Sequence, residues 1–511
     1  MDSRGLRRKA VLALVAVASI GVLAAQQASA PVANDQHLLA AMHAISSVTL
    51  FDYVKELASP KYQGRLTGTP GFEAAAKWAE QLLKDWKVRP AGDNGAYEQH
   101  FPNPYTLVLP GERLSLRIPV APDEFIERPY VYDDEYFPGS TSDSGTVTSD
   151  VVYVGYGITA PELGYDEYQG LDVKGKLVLV EPEVPVQPET NGDEFAKWRP
   201  YSFHDYKVQN ASRHGAAGMV YDYHIANPNC VFVRNFLLSY VGTTVADDLF
   251  AGTGRKHDAV VQLIRQTRKP ASFDLKKTMT MKNVTEHHPE GIGANVVGIL
   301  EGSDPALKNE VIIIGAHLDH LGMNDQLMPG ANDNASADAV LLGAAQALGQ
   351  SGVPLKRTVV FILFGAEEQG VKGSEYYVAH PVTPNNRVKA MLNLESVGHG
   401  DRITASGGGG NFADAWAFFE RNNAKYVHRQ IGVRPTTNLG RPRQDAAHFM
   451  WANIPTISFG ASGGRSIPVP TYHTTHDTPE FVNPEILQDL ARLVYLSVVE
   501  MANAPATVTT H

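Results

Sequence analysis

Cysteine is nearly absent: Cys230 is the only one in 511 residues. An intramolecular disulfide and a thiolate metal site are thereby excluded, so any metal would have to be held by histidine and carboxylate. Excess positive charge is missing too. Lysine and arginine number 44 against 55 acidic residues, a formal net charge of -11. So acidic a surface repels polyphosphate and argues against nucleic acid as a partner. There are no internal repeats or low-complexity tracts, and past the first thirty residues no apolar run is long enough to cross a bilayer. What remains is ordinary: 43% hydrophobic and 19% charged residues suit a folded chain, and the length calls for more than one packed unit.

The N-terminus stands apart. Arg4, Arg7, Arg8 and Lys9 form a basic segment, Val11 to Ala25 is uncharged and apolar, and Ala28-Ser29-Ala30 offers small residues for cleavage. This is the pattern of an export signal over residues 1–30, and its apolar run falls short of the roughly 20 residues a spanning helix needs. The expectation is an exported chain, periplasmic or extracellular, with no stable membrane association once the signal is removed.

Apolar spacing from His37 to about Trp86 is helical, interrupted by the glycine-dense Gln63-Gly64-Arg65-Leu66-Thr67-Gly68 loop. From about Tyr105 to Lys282 the texture turns to short strands, including 151–154, 177–180 and 218–221, with a helix-like stretch at 206–214. After Gly293 strands and helices alternate. Candidate strands are 311–314, 359–364, 391–392 and 454–457, with helices at 337–348 and at about 484–501, the last capped by Asn483. The first two strands are continuous apolar runs, as expected where both sheet faces are buried. The expected fold is α/β, a mostly parallel mixed sheet sandwiched by helices. The expected organisation is a signal at 1–30, a first part of the main domain at 31–135, a small β-rich insert at 136–285 and the catalytic part at 286–511.

In open α/β sheets ligands bind beyond the carboxyl ends of the strands. His317-Leu318-Asp319-His320, Glu367-Glu368 and Glu395 follow three of the strands, Tyr472-His473 follows the fourth, and Asn332-Asp333-Asn334 precedes a helix. So many carboxylates on one rim would protonate one another unless a cation neutralised them. Two zinc ions fit the inventory: His317 and Glu395 on one, Glu368 and His473 on the other, and Asp333 bridging both. Glu367 is then the general base, and Asp319 is placed to accept a hydrogen bond from the far nitrogen of His317. Asp477 either orients His473 or caps a turn. His320 and His476 read as loop or supporting residues, and His204, His399 and His448 as structural histidines.

These ordered motifs resemble the di-zinc exopeptidases, the family that groups bacterial leucyl-type aminopeptidases with glutamate carboxypeptidase. The resemblance covers about Asp52 to Leu83 and Gly293 to Ala502. It implies the same two-zinc ligand set, Glu367 as base, Asp319 as a supporting residue and Tyr472 as a donor to the oxyanion. Val154-Gly155-Tyr156-Gly157, the 172–179 segment and His214-Gly215-Ala216-Ala217-Gly218 resemble a protease-associated domain, which implies an insert beside the cleft that restricts access and carries no catalysis. Two positions depart from the family pattern: Glu395 stands where many relatives have aspartate, and Gln444-Asp445-Ala446 where some show Ser-Asp-His.

The resemblance implies an aminopeptidase acting on peptides. Its rivals are a carboxypeptidase or dipeptidase whose arginine (Arg441, Arg443 or Arg465) clamps a C-terminal carboxylate, a single-zinc glutaminyl cyclase, and a receptor-like protein without metal.

Overall fold

The computed structural model describes residues 33–187, 192–407, 411–434, 444–464, 467 and 470–505. The expected signal segment and the three arginines named above lie outside these residues.

A nine-stranded mixed sheet forms the main unit. Its strands are β1 (Arg89–Pro90), β2 (Glu98–Pro102), β3 (Ile292–Leu300), β4 (Val311–His317), β5 (Thr358–Phe364), β6 (Val388–Leu394), β7 (Arg402–Ser406), β8 (Ile431–Arg434) and β9 (Thr456–Ser462). They lie in the order β1-β3-β5-β4-β6-β9-β7-β8, with β2 also on β3. The central four, β5-β4-β6-β9, are parallel, and their antiparallel neighbours β3 and β7 lie to either side. Every residue of β4 and β5 is buried, which explains their uninterrupted apolar sequence. Helices Ser47–Leu57, Pro70–Asp85, Ser336–Gln350 and Pro484–Asn503 cover one face. The last starts where its sequence requires: Asn483 accepts from the Glu485 amide and Pro484 takes the first helical position.

A second, eight-stranded sheet runs from Arg113 to Asn283. Two of its strands, Arg113–Ala121 and Glu124–Pro129, precede the 136–285 bounds expected of the insert. It carries four α-helices among the described residues, Gly192–Trp198, His204–Arg213, Thr243–Phe250 and His257–Thr267, where the sequence showed a helix-like stretch at 206–214. Its middle is parallel, Gly145–Tyr153, Leu177–Val180, Gly218–Tyr221 and Leu237–Val241 lying side by side. One face of this sheet packs with Leu321 and Met328 of the main unit in a shared apolar cluster. The two sheets are thus joined through the loop that links β4 to Asp333. No helix of the described residues is long and apolar enough to cross a membrane.

Candidate metal centre

The parallel strands deliver their carboxyl ends to one rim. His317 is the last residue of β4 and pairs in register with Phe364, the last of β5. Glu367 and Glu368 follow three and four residues later, and Glu395 immediately follows β6. Asp333 sits in the loop ahead of the 336–350 helix, and His473 in the segment after β9. His317, Asp333, Glu367, Glu368 and His473 are buried, Asp333 at 3% exposure and His317 at none, and Glu395 is partly buried.

Asp333 is the hub. Its Oδ1 lies 3.3 Å from His317 Nε2, and its Oδ2 lies 3.3 Å from His473 Nε2. Glu395 Oε1 is 3.3 Å from His317 Nε2, and Glu368 Oε2 is 2.9 Å from His473 Nε2. The five donors nominated from the sequence therefore fall into two half-sites that share one carboxylate. Asp333 Oδ1, Glu395 Oε2 and His473 Nε2 are buried and make no hydrogen bond. His473 Nε2 and Glu368 Oε2 are close without hydrogen-bond geometry, as befits two lone pairs aimed at a common point rather than at each other. Buried orphan donors of this kind are costly unless a cation completes them. The set fits divalent metal: imidazole and carboxylate are the ligands zinc takes in the absence of thiolate.

Electrostatics show the same demand for positive charge. Burial opposes a proton on His317, yet Glu395 and Glu367 outweigh it and hold its pKa well above the usual value. Burial likewise opposes charge on His473, but Glu368 and Asp333 push its pKa up to about 10. Burial would raise the pKa of Glu368, but His473 brings it down to about 2. The two histidine shifts reflect how strongly the surrounding carboxylates favour a positive charge at this point. Glu367, without such a partner, is pushed well above the carboxylate range, first by burial and then by Glu395 and Glu368 against the pull of His317.

Supporting contacts fix the donors. The expected bond between the Asp319 carboxylate and His317 is not made: the carboxylate is 3.7 Å from Nδ1, and the Asp319 carbonyl oxygen takes its place at 3.1 Å. The reason lies one strand over. The Asp319 carboxylate accepts the backbone amides of Glu367 and Glu368 at 3.1 and 3.2 Å, so it orients both residues together. Asp477 caps the Asp333 loop, accepting from the amides of Asn332 and Asp333 at 2.9 Å each. Asn334 pins both sides of Glu395: its Nδ2 donates to Leu394 O and its Oδ1 accepts from Ser396 N. His320 Nδ1 lies 2.8 Å from Glu368 Oε1 and steadies that carboxylate. Tyr472 stacks on His473 with ring centroids 3.8 Å apart and stands half-exposed on the cavity wall.

Other residues resolve plainly. His399 Nε2 is 3.9 Å from Asp477, and His476 Nε2 is 3.4 Å from Asp133. His204, read as structural, lines the cavity with Glu183, Tyr223, Ile225, Asn227 and Asn229, all from the second sheet. Arg65, which the sequence offered only as part of a glycine-dense loop, is wholly buried and donates to the carbonyls of Leu57, Leu318, Pro329 and Gly330. Asp445 is fully buried, with a pKa that burial raises to about 7.

Asp477→Ala would leave the amides of Asn332 and Asp333 unpaired in a dry setting. The expected loss is about 2–4 kcal/mol of folding stability by urea denaturation, with weaker metal retention against chelator. An unaltered midpoint would contradict the capping role.

Residues 295–498 match the model of peptidase family M28. Aminopeptidase YwaD of Bacillus subtilis (strain 168) is 28% identical over 351 residues, which span 67% of this chain and 67% of that protein. Among solved structures, an aminopeptidase from Aneurinibacillus sp. strain AM-1 superposes with a TM-score of 0.62 at 21% identity, covering 92% of this chain and 97% of its own. BSAP, a zinc aminopeptidase from Bacillus subtilis, gives 0.58 at 19% identity, with 91% and 98% covered. These superpositions show a common mixed α/β fold. The family match spans the strands and loops that carry each of the five donors and Glu367, so residues 295–498 of the chain belong to peptidase family M28.

Proposed function

We propose that this chain is an exported zinc-dependent aminopeptidase, hydrolysing peptides from the free N-terminus with two zinc ions at the shared Asp333. The observation that carries the reading is the pair of 3.3 Å approaches from one carboxylate to two histidines. His317 and Glu395 would hold one ion, Glu368 and His473 the other. When bound, the metals supply Lewis acidity for the scissile carbonyl and acidify the attacking water. Zinc is the metal named for BSAP, whose fold this chain shares.

The chain's own groups supply the proton traffic. Glu367, aligned through its amide by Asp319, removes a proton from the water as its oxygen attacks the carbonyl carbon. Tyr472, on the cavity wall, donates to the developing oxyanion. Glu367 then returns the proton to the leaving nitrogen as the C–N bond breaks.

The N-terminus is favoured over the C-terminus by the field in the cavity. Beyond the three carboxylates assigned to the metals, Glu183 and Glu367 also line the cavity, and none of the described lining residues is a lysine or arginine that would pair with a C-terminal carboxylate. Such a wall attracts an ammonium and repels a carboxylate. The protease-associated resemblance of the second sheet agrees with its place on the cavity wall, and the N-terminal sequence with export. Aminoacyl amides, their N-acetyl counterparts and free dipeptides compared at one concentration test the reading. Acetylation is expected to lower kcat/KM about a hundredfold or more. Cleavage confined to N-blocked peptides would overturn it.

A further inference from the structure

We infer that the second sheet is a structural part of the metal centre: through Ala226 and Asp133 it positions the His473 segment, so that the metal held by Glu368 and His473 depends on it. The inference rests on the two-metal reading above and assigns the insert a role beyond controlling access.

Two reciprocal hydrogen bonds make the first contact. The Ala226 amide donates to the His473 carbonyl at 3.0 Å, and the Ala226 carbonyl lies 3.0 Å from His473 Nδ1. A carbonyl can only accept, so Nδ1 carries the hydrogen and Nε2 is left with its lone pair toward Asp333 and Glu368. For His473 the backbone of the second sheet thus does what the Asp319 carbonyl does for His317. Ala226 is itself fixed. It is wholly buried, packs in the cluster shared with Leu321 and Met328, and the next carbonyl, of Asn227, accepts from Tyr240 Oη at 3.2 Å.

The second contact lies two residues further along. Asp133, in the turn before the strand Tyr136–Pro138, accepts from Thr475 Oγ1 and has His476 Nε2 at 3.4 Å. His473 sits at φ +56°, a left-handed conformation that a residue with a Cβ adopts only when its surroundings hold it there. The Thr474 amide and hydroxyl close a turn across it on the Thr471 carbonyl at 3.2 and 3.0 Å, and Ala226 and Asp133 fix that turn from outside.

The test is zinc titration of metal-free full-length protein against a chromophoric chelator, for wild type, Asp133→Ala, Asp133→Asn and Thr475→Val. Asp133→Ala and Thr475→Val should each weaken one of two zinc equivalents about tenfold and spare the other. Adding Thr475→Val to Asp133→Ala should weaken binding no further, since Asp133→Ala already removes the bond that Thr475 makes. Asp133→Asn, which keeps an acceptor for the Thr475 hydroxyl, should stay near wild type. At limiting zinc, kcat should fall at unchanged KM and recover with excess zinc. Wild-type affinities at both sites in Asp133→Ala and Thr475→Val would overturn the inference alone. A wild type that binds fewer than two equivalents would overturn the two-metal reading and the inference with it.

Discussion

Glu367→Gln is expected to lower kcat about a thousandfold or more while KM and metal content stay at wild-type values. The substitution keeps the shape of the side chain and its backbone anchor, the Glu367 amide on Asp319 at 3.1 Å. It removes only the ability to take up a proton. Glu367 is not one of the two half-sites: its nearest approach to His317 Nε2 is 3.9 Å, against 3.3 Å for Asp333 and Glu395. It lines the cavity at 8% exposure, where a substrate-bound water can reach it. Metal loss would therefore point to a ligand rather than a base, and kcat within tenfold of wild type would remove the base role. The two failures are told apart by metal analysis on the same preparation.

Arg65→Met is expected to destabilise the fold by about 3–5 kcal/mol, the usual consequence of breaking a buried charged network. One guanidinium, wholly buried, binds four carbonyls at 2.6–2.9 Å: Leu57 at a helix end, Leu318 just past His317, and Pro329 and Gly330 ahead of Asp333. It ties the N-terminal helices to both loops that present donors to the shared carboxylate. Burial lowers its pKa, while Asp338, Asp477, Asp319 and Asp333 act in the opposite direction. The charge is thus compensated by several carboxylates rather than by one partner. Methionine fills much of the space but leaves the four carbonyls without donors. Lysine, with a single ammonium, cannot span all of them and should recover only part of the loss. A urea midpoint unchanged in Arg65→Met would contradict the account.

These two residues mark what could and could not be read from the sequence. Glu367 was legible because it follows a continuous apolar run, which suits a buried strand of a parallel sheet, and ligands bind beyond the carboxyl ends of such strands. The same logic placed His317, Glu368 and Glu395 on one rim. Asp333 and His473 needed the motif around them. Arg65 was not legible, since an arginine between glycines reads as a solvated loop. Nor was the part played by Ala226: a carbonyl that fixes an imidazole leaves no trace in the identity of its side chain. Asp319 was nominated for the right neighbourhood and the wrong bond, because residue spacing along one strand cannot show that the next strand's amides are nearer. The early start of the second sheet escaped notice for a similar reason. Glu124–Pro129 is an exposed edge strand, and the second half of Arg113–Ala121 beside it is exposed too, so neither carries a sustained apolar pattern.

Anomalous diffraction at the zinc edge from crystals of the zinc-loaded protein tests the central claim most directly. The account predicts two peaks, one on each oxygen of Asp333, the first among His317 and Glu395 and the second among Glu368 and His473. A single peak, no peak, or peaks away from Asp333 would contradict it.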